Sequence, residues 1–91
     1  MSVYEGIRIL DFSEGIAGPM ACGLLAQFGA DVVKVETPAG DRLKSHPGYL
    51  AWNCNKRRLV LDSAVPGELA SMRALIAGAD VVVFDAAPGE L

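Results

Sequence analysis

The chain has 91 residues, of which 52% are apolar and 7% aromatic, and its formal net charge is −3. A chain of this size forms one small domain and, alone, removes only about 60–65% of its unfolded surface from water. The acidic charge argues against a nucleic-acid partner, and no apolar run approaches the roughly twenty residues that span a bilayer. The amino terminus lacks a secretory signal pattern. We therefore expect a cytoplasmic protein whose two cysteines, Cys22 and Cys54, are reduced thiols.

The chain opens with the pattern of a strand, a tight turn and a helix. β-Branched and apolar residues predict a strand over 7–12, and Gly15 and Gly18 supply the backbone freedom for the turn that follows. A helix is predicted over 19–28, with Gly29 as a left-handed cap. Its apolar residues recur at helical spacing: Ala21, Leu24, Leu25 and Phe28.

The rest of the chain continues this alternation after an irregular middle. A second strand is predicted over 31–36, and residues 42–55 are irregular apart from one helical turn near 49–52. A third strand over 58–62, a helix over 66–77 and a fourth strand over 80–84 follow. The second helix is expected to turn three residues inward: Leu69, Met72 and Ile76.

This order of elements, β-α-β-(irregular)-β-α-β, predicts an α/β fold with a Rossmann-like parallel sheet and flanking helices. The richness in Val, Ala and Leu suits strands that are buried on both faces. We expect residues 1–91 to form a single partial domain, the first part of a larger fold.

The turn over 13–19 is the first candidate binding site. It would lie at the carboxyl end of the first strand, where the N–H groups and the dipole of the following helix favour a phosphate. The alternative is an ordinary strand-to-helix turn that needs glycine for its geometry, because the spacing is not GxGxxG. Both interpretations stay open from the residues alone.

Glu36 closes the second strand, where dinucleotide-binding folds place an acid for a ribose hydroxyl. A solvated charge, or a partner for a nearby arginine, is the alternative. Lys34 alternates with valines and is expected to flank the sheet.

The segment over 53–58 combines amides, which can read a base edge, with cations, which can neutralise phosphate; a solvated loop is the alternative. Cys54 has no histidine or acid placed to activate it, and His46 and the scattered aspartates show no metal-ligand spacing.

The chain closely resembles the amino terminus of the family III CoA-transferases, which include formyl-CoA transferase, the carnitine and bile-acid CoA-transferases and α-methylacyl-CoA racemase. The likeness covers nearly the whole chain, in order and at the family's spacing. The segments that carry it are 6–13, Ala17-Gly18-Pro19, 25–36, Gly40-Asp41, 53–57, 59–62, 79–83 and Pro88-Gly89.

The resemblance implies a Rossmann-like large domain that binds CoA, joined to a small domain, with two subunits interlocked as rings. It implies CoA or an acyl-CoA as ligand and a homo-oligomer, or the remainder of the parent enzyme, as partner. It assigns the CoA site to ten residues: Glu14, Gly15, Ile16, Ala17, Glu36, Thr37, Asn53, Asn55, Lys56 and Arg57.

Two departures from the family pattern stand out. The chain has Phe84-Asp85-Ala86-Ala87 where the family usually carries Glu-Asn-Phe and a basic residue, and Thr37 where some relatives have arginine. The resemblance places the transferases' catalytic aspartate, or the acid/base residues of the racemases, beyond Leu91. No catalytic residue is therefore assigned within the chain.

Three functions follow as hypotheses. The first is the CoA-binding part of a family III CoA-transferase or related racemase, catalytically incomplete alone. The second is a non-catalytic binding or dimerisation module derived from that family, which the altered segment over 84–87 favours. The third is an NAD(P)-dependent dehydrogenase domain, which Glu36 favours and the absence of GxGxxG disfavours.

Overall fold

The computed structural model describes residues 3–85, and residues 86–91, with Ala86, Ala87 and the Pro88-Gly89 pair, lie outside the described range. The elements are β1 (Arg8–Asp11), α1 (Ala17–Gln27), β2 (Asp31–Glu36), α2 (Tyr49–Asn53), β3 (Arg57–Val60), α3 (Pro66–Ala77) and β4 (Val81–Val83). They follow the predicted order, with boundaries that differ from the prediction by one or two residues at several ends.

The four strands form one sheet in the order β3-β2-β1-β4, and every neighbouring pair is parallel. The predicted α/β class is thereby confirmed. The chain steps outward from β1 to β2 to β3 and then returns to the other side of β1. In open α/β sheets, the crevice outside the carboxyl ends of strands where the order reverses is the usual place for a ligand. Here that position lies between β1 and β4.

The central strands β1 and β2 are covered on both faces of the sheet, whereas the edge strands β3 and β4 are exposed or half-buried. Alternate residues of each strand point to opposite sides. On the α1 face, Ile9 and Val32 pack with Cys22. On the α3 face, Leu10 and Val35 pack with residues that include Leu61, Met72 and Leu75. Strands buried on both faces explain the almost continuous apolar runs of the sequence.

The inward faces of the two long helices differ from the expectation at particular residues. Ile76 is exposed, and Leu75 packs against the sheet beside Met72 instead. In α1 the core contacts come from Cys22, Leu25 and Ala26, whereas Leu24 is 54% exposed. These helices are apolar on more than one side, so periodicity alone does not identify the face that meets the sheet.

Two glycines shape the region around α1. Gly15 has a φ of 82°, a left-handed conformation that a side chain rarely adopts, and so it permits the turn between β1 and α1. Gly23 lets α2 approach α1 closely, because a Cβ there would lie 2.6 Å from the backbone oxygen of Trp52. Across residues 3–85, the helices are too short or too polar to cross a bilayer.

Candidate functional site

The start of α1 leaves backbone donors at the carboxyl edge of the sheet. The cap residue Ile16 makes no side-chain capping bond, and the first helical bond recorded there runs from the Met20 N–H to the Ile16 carbonyl at 2.9 Å. Ile16 and Ala17 are both exposed. The N–H groups of an uncapped first turn carry partial positive charge and favour an anion.

The preceding turn is arranged differently, because its N–H groups already have acceptors within the chain. The Ser13 N–H donates to Asp11 Oδ1 at 2.9 Å, and the Ser13 hydroxyl donates to the same atom. The Glu14 N–H donates to Asp85 Oδ2 at 2.9 Å. The Gly15 N–H donates to Asp41 Oδ1 at 3.2 Å. Three successive backbone donors therefore each face a carboxylate.

The Lys56 ammonium is buried next to this turn, and three oxygens of the chain accept its hydrogen bonds. It donates to Asp11 Oδ2 at 2.7 Å, to the Pro19 carbonyl at 2.8 Å and to Asn53 Oδ1 at 2.7 Å. The side chain is 1% exposed. The three contacts join the end of β1, the first turn of α1 and the end of α2. A phosphate contact through Lys56 would require these oxygens to be replaced.

Lys34 and Asp41 form a second buried ion pair. Lys34 Nζ lies 2.8 Å from Asp41 Oδ2 and also donates to the Ser13 carbonyl at 2.8 Å. Burial raises the pKa of the Asp41 carboxyl, but hydrogen bonds from Lys34, Leu43 N–H and Gly15 N–H outweigh it, and that pKa lies below its ordinary value. The sequence predicts that Lys34 only flanks the sheet, whereas its ammonium joins the Ser13 carbonyl of the turn after β1 to the Asp41 carboxylate.

Glu36 is buried at the end of β2, so its interpretation as a solvated charge is wrong. The Tyr49 hydroxyl donates to Oε2, and Arg58 Nε donates to Oε1 at 3.0 Å. Burial, followed by the hydrogen bond and charge of Glu36, raises the pKa of Tyr49 to about 12. The predicted alternative, a partner for a nearby arginine, matches this geometry.

A small crevice of about 130 Å³ opens at the carboxyl end of the sheet on the α3 face. It brings together three of the residues assigned to the CoA site: Glu14, Glu36 and Thr37. Phe12, Val35, Leu61 and Met72 are among the residues that supply its apolar walls. Thr37 is exposed at its rim.

The segment over 53–57 does not lie together at this crevice. Asn53 ends α2, where its amide donates to the Tyr49 carbonyl at 3.0 Å. Asn55 and Cys54 line a separate cleft of about 440 Å³ between α1 and α2, whose other walls are largely apolar. Arg57 pairs with Asp31 at 2.6 Å, next to the start of β2 and away from the carboxyl edge.

Sequence reasoning gave no structural role to Asp11, Asp41 and Tyr49, which hold the site from within. It named Ser13 only as the start of the candidate turn. The spacing Asp11-x-Ser13 after a strand was the available signal, because Asp side chains commonly accept the N–H two residues on. Cys22 is buried beside Asp11, and burial followed by the Asp11 charge raises its thiol pKa to about 11. The part of the chain that the structure describes holds no cluster of three or more metal-ligating side chains.

Comparison with known proteins gives a consistent result. The family model for CoA-transferase family III matches residues 4–91. A formyl-CoA:oxalate CoA-transferase from Afipia carboxidovorans is 43% identical over 96% of this chain and 23% of its own length. A succinyl-CoA:mesaconate CoA-transferase from Haloarcula hispanica is 36% identical over 91% of this chain and 24% of its own length.

Solved structures agree with these sequence relatives. A hypothetical protein from Mycobacterium tuberculosis superimposes with a TM-score of 0.90 at 32% identity, covering 98% of this chain and 27% of its own. A CAIB/BAIF family protein from Brucella suis gives 0.81 at 28% identity, covering 91% and 25% respectively. The chain therefore spans about a quarter of the length of the relatives that it matches.

Proposed function

This chain belongs to CoA-transferase family III, and from that membership we propose that it provides the CoA-binding part of an enzyme that transfers CoA between carboxylic acids. The match over residues 4–91 is the observation that carries the proposal. The two sequence relatives described above are themselves named as CoA-transferases. Their names suggest CoA thioesters of formate or of small dicarboxylic acids as the substrate class.

The geometry of the carboxyl edge supports an anionic nucleotide there. The exposed first turn of α1, at Ile16 and Ala17, offers N–H groups to phosphate. Glu14, Glu36 and Thr37 line the adjacent crevice, where acceptor oxygens suit a ribose hydroxyl rather than a phosphate. Asn55 lies apart from this edge and offers an exposed amide in the cleft between α1 and α2. We assign the half-buried Asn53 and the buried Lys56 ammonium to holding this edge in shape.

Acyl transfer is proposed to depend on residues outside this chain. Within residues 3–85, Asp11 is buried against Lys56, and the Asp62 carboxylate accepts the Ala64 N–H at 2.9 Å. Cys22 is buried, and its raised pKa opposes formation of the thiolate nucleophile. These three side chains therefore serve the fold. We expect the chain alone to bind CoA and to turn over no thioester.

Calorimetric titration of the chain with CoA and with NAD tests the proposal. We expect heat of binding with CoA and none with NAD. Ala17→Asp is the diagnostic variant, because an acid in the first turn favours the helix and repels phosphate. Gly67→Asp is its control, since it places the same charge in the first turn of α3, where an added side chain meets open space.

The outcomes separate the hypotheses. CoA binding that Ala17→Asp weakens at least tenfold and Gly67→Asp leaves unchanged supports the assigned edge. NAD binding with indifference to CoA contradicts the proposal and favours the dehydrogenase hypothesis. If Ala17→Asp and Gly67→Asp weaken CoA binding equally, CoA does not bind at the first turn of α1, and the assigned edge is wrong.

A second candidate, a binding or dimerisation module, draws on one specific observation. Large apolar side chains on the two helices that form the cleft are exposed: Met20 of α1, which lines the cleft, is 53% exposed, and Leu50 of α2 is 74% exposed. Exposed apolar surface of this kind marks interaction sites. Sedimentation equilibrium measures whether the chain is a dimer. A dimer that binds neither CoA nor NAD would favour this candidate over the first.

A further inference from the structure

Asp85 differs from the other two carboxylates that face the turn after β1. Asp11 and Asp41 are buried, and each pairs with a buried lysine. Asp85 is exposed, and within residues 3–85 no ion pair involves it. Its Oδ2 nevertheless accepts the Glu14 N–H at 2.9 Å. A carboxylate that makes no ion pair within the described range therefore accepts the middle N–H of the turn, that of Glu14.

The position of Asp85 gives this charge its importance. It follows β4, which pairs with β1, so it lies where the strand order of the sheet reverses. The neighbouring Phe84 ring stacks on Phe12 at a centroid distance of 5.1 Å, which fixes the end of β4 against the end of β1. The Asp85 carboxylate therefore lies at the carboxyl edge of the sheet, next to the position where α/β sheets with this strand order usually accept ligands.

We propose that Asp85 is a specificity-determining residue. Its carboxylate accepts the Glu14 N–H that an anionic group of the ligand would otherwise use, and its charge disfavours anions at the carboxyl edge of the sheet. This inference rests on the proposed CoA-binding function. An anion that accepts the Glu14 N–H must take the place of the Asp85 oxygen. An anion bound to the nearby first turn of α1 meets the negative charge of Asp85 instead.

The expected size of the effect follows from electrostatics. Two like charges about 4 Å apart in water repel by an amount equivalent to roughly a fivefold change in an equilibrium constant, and by more where the dielectric is lower. Asparagine at this position keeps an oxygen that accepts the Glu14 N–H and removes the charge. Asp85→Asn is therefore expected to raise CoA affinity by about five- to tenfold at low salt.

Asp80 supplies a matched control at the opposite end of β4. It immediately precedes β4, it is exposed, and its Oδ2 accepts the Arg8 N–H at 2.8 Å at the opposite end of the sheet. Asp80→Asn thus makes the same chemical change in the same kind of contact, away from the carboxyl edge. Its affinity for CoA is expected to equal that of the unmodified chain.

The experiment measures dissociation constants of the unmodified chain, Asp85→Asn and Asp80→Asn for CoA, inorganic pyrophosphate and uncharged pantetheine. We expect Asp85→Asn alone to bind CoA and pyrophosphate more tightly, with no change for pantetheine. The gain should shrink at about 1 M salt, where the screening length falls to about 3 Å.

Each other pattern has a definite meaning. If the unmodified chain binds CoA and Asp85→Asn binds it no more tightly, the inference on Asp85 is wrong and the proposed function stands. If Asp85→Asn binds pyrophosphate more tightly than the unmodified chain does, but no variant binds CoA more tightly than it binds pyrophosphate, the inference on Asp85 stands. The assignment of CoA as the ligand is then wrong. If no variant binds any probe, both are wrong.

Discussion

The Lys56 ammonium lies 2.7 Å from the Asp11 carboxylate, and both side chains are almost completely buried. The same ammonium reaches the Pro19 carbonyl and the Asn53 amide oxygen, so one cation joins three elements around the turn. Isolated buried charges cost several kcal/mol, and the pair is tolerated because its lone pairs and protons are satisfied.

Replacing Lys56 by methionine is expected to lower the free energy of unfolding by about 3–5 kcal/mol, because it leaves the Asp11 carboxylate buried without its counter-ion. Urea denaturation followed by circular dichroism measures this. Asp11→Asn, alone and combined with Lys56→Met, completes a double-mutant cycle. The double variant should be more stable than the sum of the single effects predicts. Simple additivity would contradict direct coupling between the two groups.

Asp41 is expected to shape the acid limb of the stability profile. Its pKa is lower in the folded chain than in the unfolded chain, so the unfolded state binds more protons as the pH falls. The stabilisation is present above the unfolded value of about 4 and is lost below it. Asp41→Asn should therefore be less stable at pH 7 and should lose less stability between pH 4 and 2. A steeper acid loss in the variant would contradict this assignment.

The sequence predicted the sheet better than the site, and particular residues show why. The strand residues Val32 to Val35 and the turn glycine Gly15 obey local rules, since β-propensity and positive φ depend on near neighbours. The partners of Lys56 come from positions 11, 19 and 53, which only the fold brings together.

The role of Glu36 illustrates the same limit. A carboxylate at a strand end is compatible with solvent, a ribose or an arginine, and local sequence does not choose between them. Tyr49, thirteen residues away in the irregular middle, covers it and donates its hydroxyl. Burial of Glu36 thus depends on α2, a five-residue helix whose presence was indicated by only one predicted turn.

The two cysteines are expected to differ sharply in reactivity. Cys22 is fully buried with a thiol pKa of about 11, whereas Cys54 is exposed. At pH 8, iodoacetamide should label Cys54 in the native chain and reach Cys22 only through unfolding. Peptide mass spectrometry over a urea series measures both rates. Cys22 labelling as fast as Cys54 in native buffer would contradict the buried placement.

The chain also offers a matched pair of tyrosines that tests how α2 is held. Tyr49→Phe removes the donor to the buried Glu36 carboxylate, so we expect a loss of about 1–3 kcal/mol of unfolding free energy. Tyr4→Phe removes the hydroxyl of an exposed ring that packs edge-on against Phe28, and it should change stability by less than about 0.5 kcal/mol.

Alkaline pH gives a second measurement on Tyr49. The unfolded phenol ionises near pH 10, while the folded one keeps its proton until about pH 12. The unmodified chain should therefore lose stability as the pH rises above 10, and Tyr49→Phe should lack that contribution. Equal effects of the two tyrosine variants at pH 7 would show that the Glu36 contact does not hold α2 in place.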